Sequence, residues 1–147
     1  MSLYWKLNKI SRKIIIRQQR HLNIKLTDCN SLSEIVREIK RGVEIYNNSN
    51  YYMTYNFYNC RNHIKIVVWE NILNLLRNNG VSENINYIDS VFKLIYELKK
   101  NNYIGGMMNS VLVARIQTVI LEEKTKESRI LNQAITSEEE FFRGVWA

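Results

Sequence analysis

Residues 62–98 read NHIKIVVWENILNLLRNNGVSENINYIDSVFKLIYEL, and this stretch decides the fold. Ile64, Val67, Val68, Ile72, Leu75 and Leu76 recur at the three- and four-residue intervals that bring side chains to one side of an α-helix. The wide apolar face predicts a core helix over 62–79. Asn78-Asn79-Gly80 supplies its stop, because glycine enters positive φ without a Cβ penalty. Ser82 is then a candidate N-cap. Ile85, Ile88, Val91, Phe92, Ile95 and Leu98 mark a second helix of the same kind, on which Asp89 and Lys93 have the i, i+4 spacing of a surface ion pair. Two apolar helix faces joined by a short stop must bury against other helices, which predicts a bundle.

Working outward toward the amino terminus, Asn30-Ser31-Leu32-Ser33-Glu34 has the spacing of a capping box, with Ser31 and Glu34 as the reciprocal pair. Leu32, Ile35, Val36, Ile39 and Val43 follow as an apolar face that ends at Asn47 to Asn50. Over residues 2–22, Leu3, Leu7, Ile10 and Ile14 are spaced four, three and four apart, which favours one continuous helix. The β-branched triplet Ile14-Ile15-Ile16 leaves a strand open. In Tyr51 to Tyr58, aromatic and apolar residues occupy alternate positions, which fits a short strand or an extended aromatic arm, with a helix also compatible.

Toward the carboxyl terminus, Asn101-Asn102 through Gly105-Gly106 reads as a turn. Met107 to Glu123 is apolar on most sides and is expected to be the central helix. A short final helix is expected over 137–146, with Glu138, Glu139 and Glu140 in its first turn, where carboxylates suit the helix dipole. The sum is a mostly α, single-domain bundle of about five or six helices over 1–147, with a basic helix or arm over 1–25.

Composition narrows the class. A hydrophobic fraction of 46% with 24% charged residues is that of a globular chain able to bury a core, which excludes disorder throughout. The longest apolar stretch, Met107 to Leu121, is interrupted by Asn109, Ser110, Arg115 and Gln117, so no membrane span is expected. No secretory signal pattern is present. Two cysteines, Cys29 and Cys60, make no disulfide framework, and free thiols in a reducing, cytoplasmic setting are expected, with a single bridge left open. The abundance of Asn, Ile, Lys and Tyr with no Pro favours A/T-rich codons, compatible with a viral, phage or plasmid gene and a host-cytoplasm location.

Charge is the sharpest asymmetry. Lys6, Lys9, Arg12, Lys13, Arg17, Arg20 and Lys25 all precede the first acid, Asp28. The other fourteen basic residues are balanced by fourteen acids, so the formal excess of +7 lies in the first 25 residues. On a helix Lys6, Lys9, Lys13, Arg17 and Arg20 form a rail beside the apolar stripe, suited to displacing counterions from a nucleic-acid backbone, with Gln18 and Gln19 available for hydrogen bonds. The bland alternative is a solvated helix. An acidic protein groove is another, and an anionic membrane surface is a third, aided by Tyr4 and Trp5.

Other constellations are weaker. The tyrosine-rich stretch could stack on unpaired bases, but no Lys or Arg lies between Gly42 and Cys60. Cys60 and His63 have tolerable ligand spacing, whereas His21 and Cys29 are far from a zinc-finger arrangement, so no metal or other cofactor is expected. No phosphate loop, nucleophile elbow or paired-histidine helix appears, so catalysis is not expected. The leading expectation is a small accessory binding protein that grips nucleic acid or a nucleoprotein complex. The second is a protein-interaction module that anchors Phe141, Phe142 and Trp146 in a partner's apolar groove, with self-association also open.

Overall fold

The computed structural model describes residues 1–48, 64–100 and 109–146. The alternating aromatic segment 51–58, Cys60, His63 and the expected turn at 101–106 lie outside the described residues. Among the described residues there are six helices and no strand: α1 Leu3–Lys6, α2 Lys9–Leu22, α3 Leu32–Asn48, α4 Ile66–Asn78, α5 Ile85–Lys100 and α6 Asn109–Trp146. The mostly α bundle read from the sequence is the fold observed.

Local signals account for several boundaries. Ser31 Oγ accepts from the Glu34 amide at 3.2 Å, and the Glu34 carboxylate accepts from the Asn30 amide at 2.8 Å, one residue before the expected partner. At the end of α4, Gly80 sits at φ 69°, with Gly80 N–H donating to Arg77 O and Val81 N–H to Leu76 O. That is a Schellman stop, and α2 ends the same way with Asn23 at φ 51°.

The buried centre is built from α4 and α5. Trp69, Ile72 and Leu76 of α4 and Ile88, Val91, Phe92 and Ile95 of α5 are all fully buried, and the Trp69 and Phe92 rings lie edge to face at 5.4 Å. Around this pair, α2 packs on α5 and α3, α3 packs on α4, and α6 lies across both α4 and α5. Gly42 serves the α2–α3 approach. A Cβ there would stand 2.9 Å from Ile24 Cγ2, so the close seating of the loop after α2 offsets the cost of about 1 kcal/mol for a mid-helix glycine.

Three expectations about the ends need correction. The first helix is not continuous over 2–22. It breaks at Leu7, which is extended, and restarts at Asn8, whose Oδ1 accepts from the Ser11 amide at 3.0 Å. The break is held by α5, where Asp89 Oδ1 accepts from the Asn8 amide at 3.1 Å and from the buried Ser11 hydroxyl at 2.7 Å. Asp89 therefore docks the positive end of α2 and is not paired with Lys93. The inward face accordingly carries Ser11, Ile14, Ile15, Gln18 and Leu22, with Ile10 only half-buried.

The second and third corrections concern α6. It is one helix from Asn109 to Trp146, with no separate helix over 137–146. No Gly or Pro interrupts residues 109–143, so nothing in the polar middle breaks the ladder, and the Thr118 and Thr125 hydroxyls find local acceptors in the carbonyls of Ala114 and Leu121. Nor is α6 central: among its described residues only Leu112, Ile116 and Ile120 are buried, and Val111 and Leu121 are exposed.

Polar contacts seat α6 on the bundle. Ser90 donates to Glu123, Lys124 to Asn79 and the Tyr87 hydroxyl to Glu127 at 2.9 Å. Burial, reinforced by the Glu127 carboxylate, pushes the Tyr87 hydroxyl up from its ordinary 10.0 to about 12. The folded chain thus holds this proton more tightly than the unfolded chain. The resulting stability is complete below about pH 10 and is lost as pH rises toward 12. Urea midpoints are expected to fall over that window and to fall less steeply in Tyr87→Phe.

Candidate nucleic-acid interface

The burial of Ser11, Ile14, Ile15, Gln18 and Leu22 fixes the rotation of α2, and the cations emerge on the opposite side. Lys9, Arg12, Lys13, Arg17 and Arg20 follow one another at steps of three, one, four and three, which is one helical face. Together with Ile16 and with Tyr4 of α1 they line an open groove of about 410 Å³. Lys9, Lys13 and Arg20 are exposed, and Arg12 and Arg17 are half-buried. The long stems lie along the apolar floor and carry the charged heads outward.

Among the described residues no carboxylate lines this groove. Among the described residues, ion pairs join Lys25 to Asp28, Arg41 to Glu38 and Lys126 to Glu123, and none involves the five groove cations. At one end the Tyr4 ring stands edge to face with Trp5 at 4.9 Å, and Trp5 is 61% exposed. The groove therefore offers uncompensated positive charge next to an open aromatic face.

Not every expected residue belongs to it. Lys6 is exposed on α1 and does not line the groove, because the break at Leu7 removes it from the α2 register. Lys25 lies in the loop after α2, where Asp28 partners it at 3.0 Å. Arg12, one of the seven early cations expected to contact nucleic acid though outside the five-residue rail, does line the groove. Gln18 and Gln19 are not offered outward. Gln18 Oε1 accepts from the buried Ile64 amide at 2.8 Å, and Gln19 Oε1 accepts from the Leu26 and Thr27 amides at 2.8 and 3.4 Å. These glutamines fix the site's surroundings. Gln18→Leu strands the buried Ile64 amide and is expected to cost about 1–3 kcal/mol in urea unfolding, while leaving the salt dependence of any nucleic-acid binding unchanged.

At the other end of the chain, Phe141 is 67% exposed on α6, while the side chains of Phe142 and Trp146 lie outside the described residues. Cys29 is buried and free, and burial, followed by the nearby carboxylates of Glu34 and Glu38, pushes its thiol up. Among the described residues no group of His, Cys, Asp and Glu is arranged to hold a metal ion, and no helix is long and apolar enough to cross a membrane. The chain matches no protein-family model, no curated protein and no solved structure.

Proposed function

We propose that this chain is a small, non-enzymatic accessory protein that grips a nucleic acid, alone or within a nucleoprotein complex, through the cationic face of α2. The observation that carries the reading is the groove of five cations with no carboxylate on its walls. Four residues of helix advance about 6 Å, so α2 delivers a cation at nearly every turn along a straight line. A polyanion laid on that line exchanges condensed counterions for fixed charges, which is favourable and independent of sequence. The exposed Trp5 ring next to Tyr4 adds a flat surface on which an unpaired base can stack, which favours strands with unpaired bases over a uniform duplex.

Co-purification tests the reading. The protein isolated at low salt is expected to carry nucleic acid, visible as excess absorbance at 260 nm, and to lose it after nuclease treatment or a high-salt wash. A proteinaceous companion that survives both nuclease and high salt, and is lost in Trp146→Ala, would instead select a protein-docking role for the carboxyl-terminal residues.

A further inference from the structure

The free cations of the α2 groove are few and confined to a short run. From Lys9 to Arg20 the helix advances eleven residues, so the five groove cations span about 16 Å. Acids close the run on both sides. At the first turn of α2 the Asp89 carboxylate accepts from the Asn8 amide and the Ser11 hydroxyl, which sets a negative group beside the start of the rail. After α2, Lys25 is held by Asp28 at 3.0 Å, and residues 26–36 contain no Lys or Arg. Lys6 is exposed on α1, outside the groove.

This run limits the ligand. Each phosphate that sheds its condensed counterions needs a protein cation in their place, so the groove holds no more than about five phosphates. A longer strand gains no further charge contact from it. The aromatic part is limited as well. Tyr4 is the one aromatic residue that lines the groove among the described residues, and its neighbour Trp5, edge to face with it, presents a ring that is 61% exposed. One open ring serves one base, and only an unpaired base turns a free face toward it.

We infer that the α2 groove takes a short single-stranded segment of about five or six nucleotides, with its phosphates on the rail and one base stacked on Trp5. The inference rests on the nucleic-acid reading of the same groove and adds the form and size of the ligand.

Oligothymidylates of three, six and twelve nucleotides, titrated against the full chain at several salt concentrations, test the size. A hexamer carries five internucleotide phosphates. The slope of log affinity against log salt is therefore expected to steepen from about −1.4 on the trimer to about −3.5 on the hexamer, and to stay there on the dodecamer. The slope is the chosen readout because the extra binding registers of a longer strand raise affinity without changing it. Trp5→Ala is expected to weaken the hexamer about tenfold with its slope unchanged, and Trp5→Phe to keep most of the affinity. Inorganic polyphosphate has no bases and is expected to bind wild type and Trp5→Ala equally. A slope that goes on steepening to twelve nucleotides would overturn the inference and leave the polyanion grip standing. So would a Trp5→Ala variant that loses nothing on the hexamer, or that loses as much on polyphosphate. A folded chain that binds neither the hexamer nor polyphosphate at low salt would instead remove the reading of the groove itself, and the inference with it.

Discussion

Reversing Lys9, Lys13 and Arg17 to glutamate is expected to lower nucleic-acid affinity at least about a hundredfold at low salt while leaving the fold intact. The groove then holds Arg12 and Arg20 against three carboxylates, so the term that drives counterion release changes sign. The fold is expected to survive because none of the three cations makes a salt bridge or hydrogen bond among the described residues. Lys9 is the first residue of α2, and a glutamate there favours the helix dipole, which offsets the less favourable carboxylate at position 17. Fluorescence anisotropy with a labelled single strand reads the binding, and a thermal melt by circular dichroism reads the fold. Loss of binding with the melting transition kept supports the groove, and binding kept at wild-type strength refutes it.

Trp69→Ala is expected to cost about 3–5 kcal/mol, a large share of the whole stability of the bundle. Trp69 is fully buried between α4 and α5 and stacks edge-on against Phe92. Its removal leaves a void in the core beside Phe92, and a domain of this size has only about 5–15 kcal/mol in hand. Trp69→Phe separates volume from polarity. The indole N–H is buried without a hydrogen-bond partner among the described residues, so phenylalanine gives up volume but also removes a donor that is stranded. Its expected cost is about 1–2 kcal/mol. Urea unfolding followed by far-ultraviolet circular dichroism compares the two variants. Equal costs would place the helix–helix contact elsewhere.

What the sequence made legible follows the range of the interactions involved. The Ser31–Glu34 cap and the Gly80 stop are set by residues within six positions of one another, and both are readable from spacing. The break at Leu7 and Asn8 depends on Asp89, 81 residues away, and an apolar stripe alone favours running the helix through it. One local sign is present: Asn8 stands three residues before Ser11, which is capping spacing.

The groove is legible as a confined positive excess, but its membership is not. Of the seven expected cations, the break takes Lys6 out of the α2 register and the loop turns Lys25 toward Asp28, while the other five line the groove. Gln18 and Gln19 read as surface residues because polarity alone does not distinguish a solvent-facing amide from one that accepts a buried backbone N–H. The length of α6 is obscured because its polar middle, Glu122 to Arg129, resembles a linker by hydropathy, although nearly all its residues are good helix formers.

The salt dependence of wild-type binding to a labelled oligonucleotide tests the polyanion grip most directly. With five cations engaged, the slope of log affinity against log salt is expected to lie near about −4.5 on a duplex and about −3.5 on a single strand, so that raising salt from about 50 to about 200 mM weakens binding roughly 100- to 500-fold. A slope near zero, or no binding at low salt by a chain that is folded, would contradict the claim that the α2 face is a grip for polyanions.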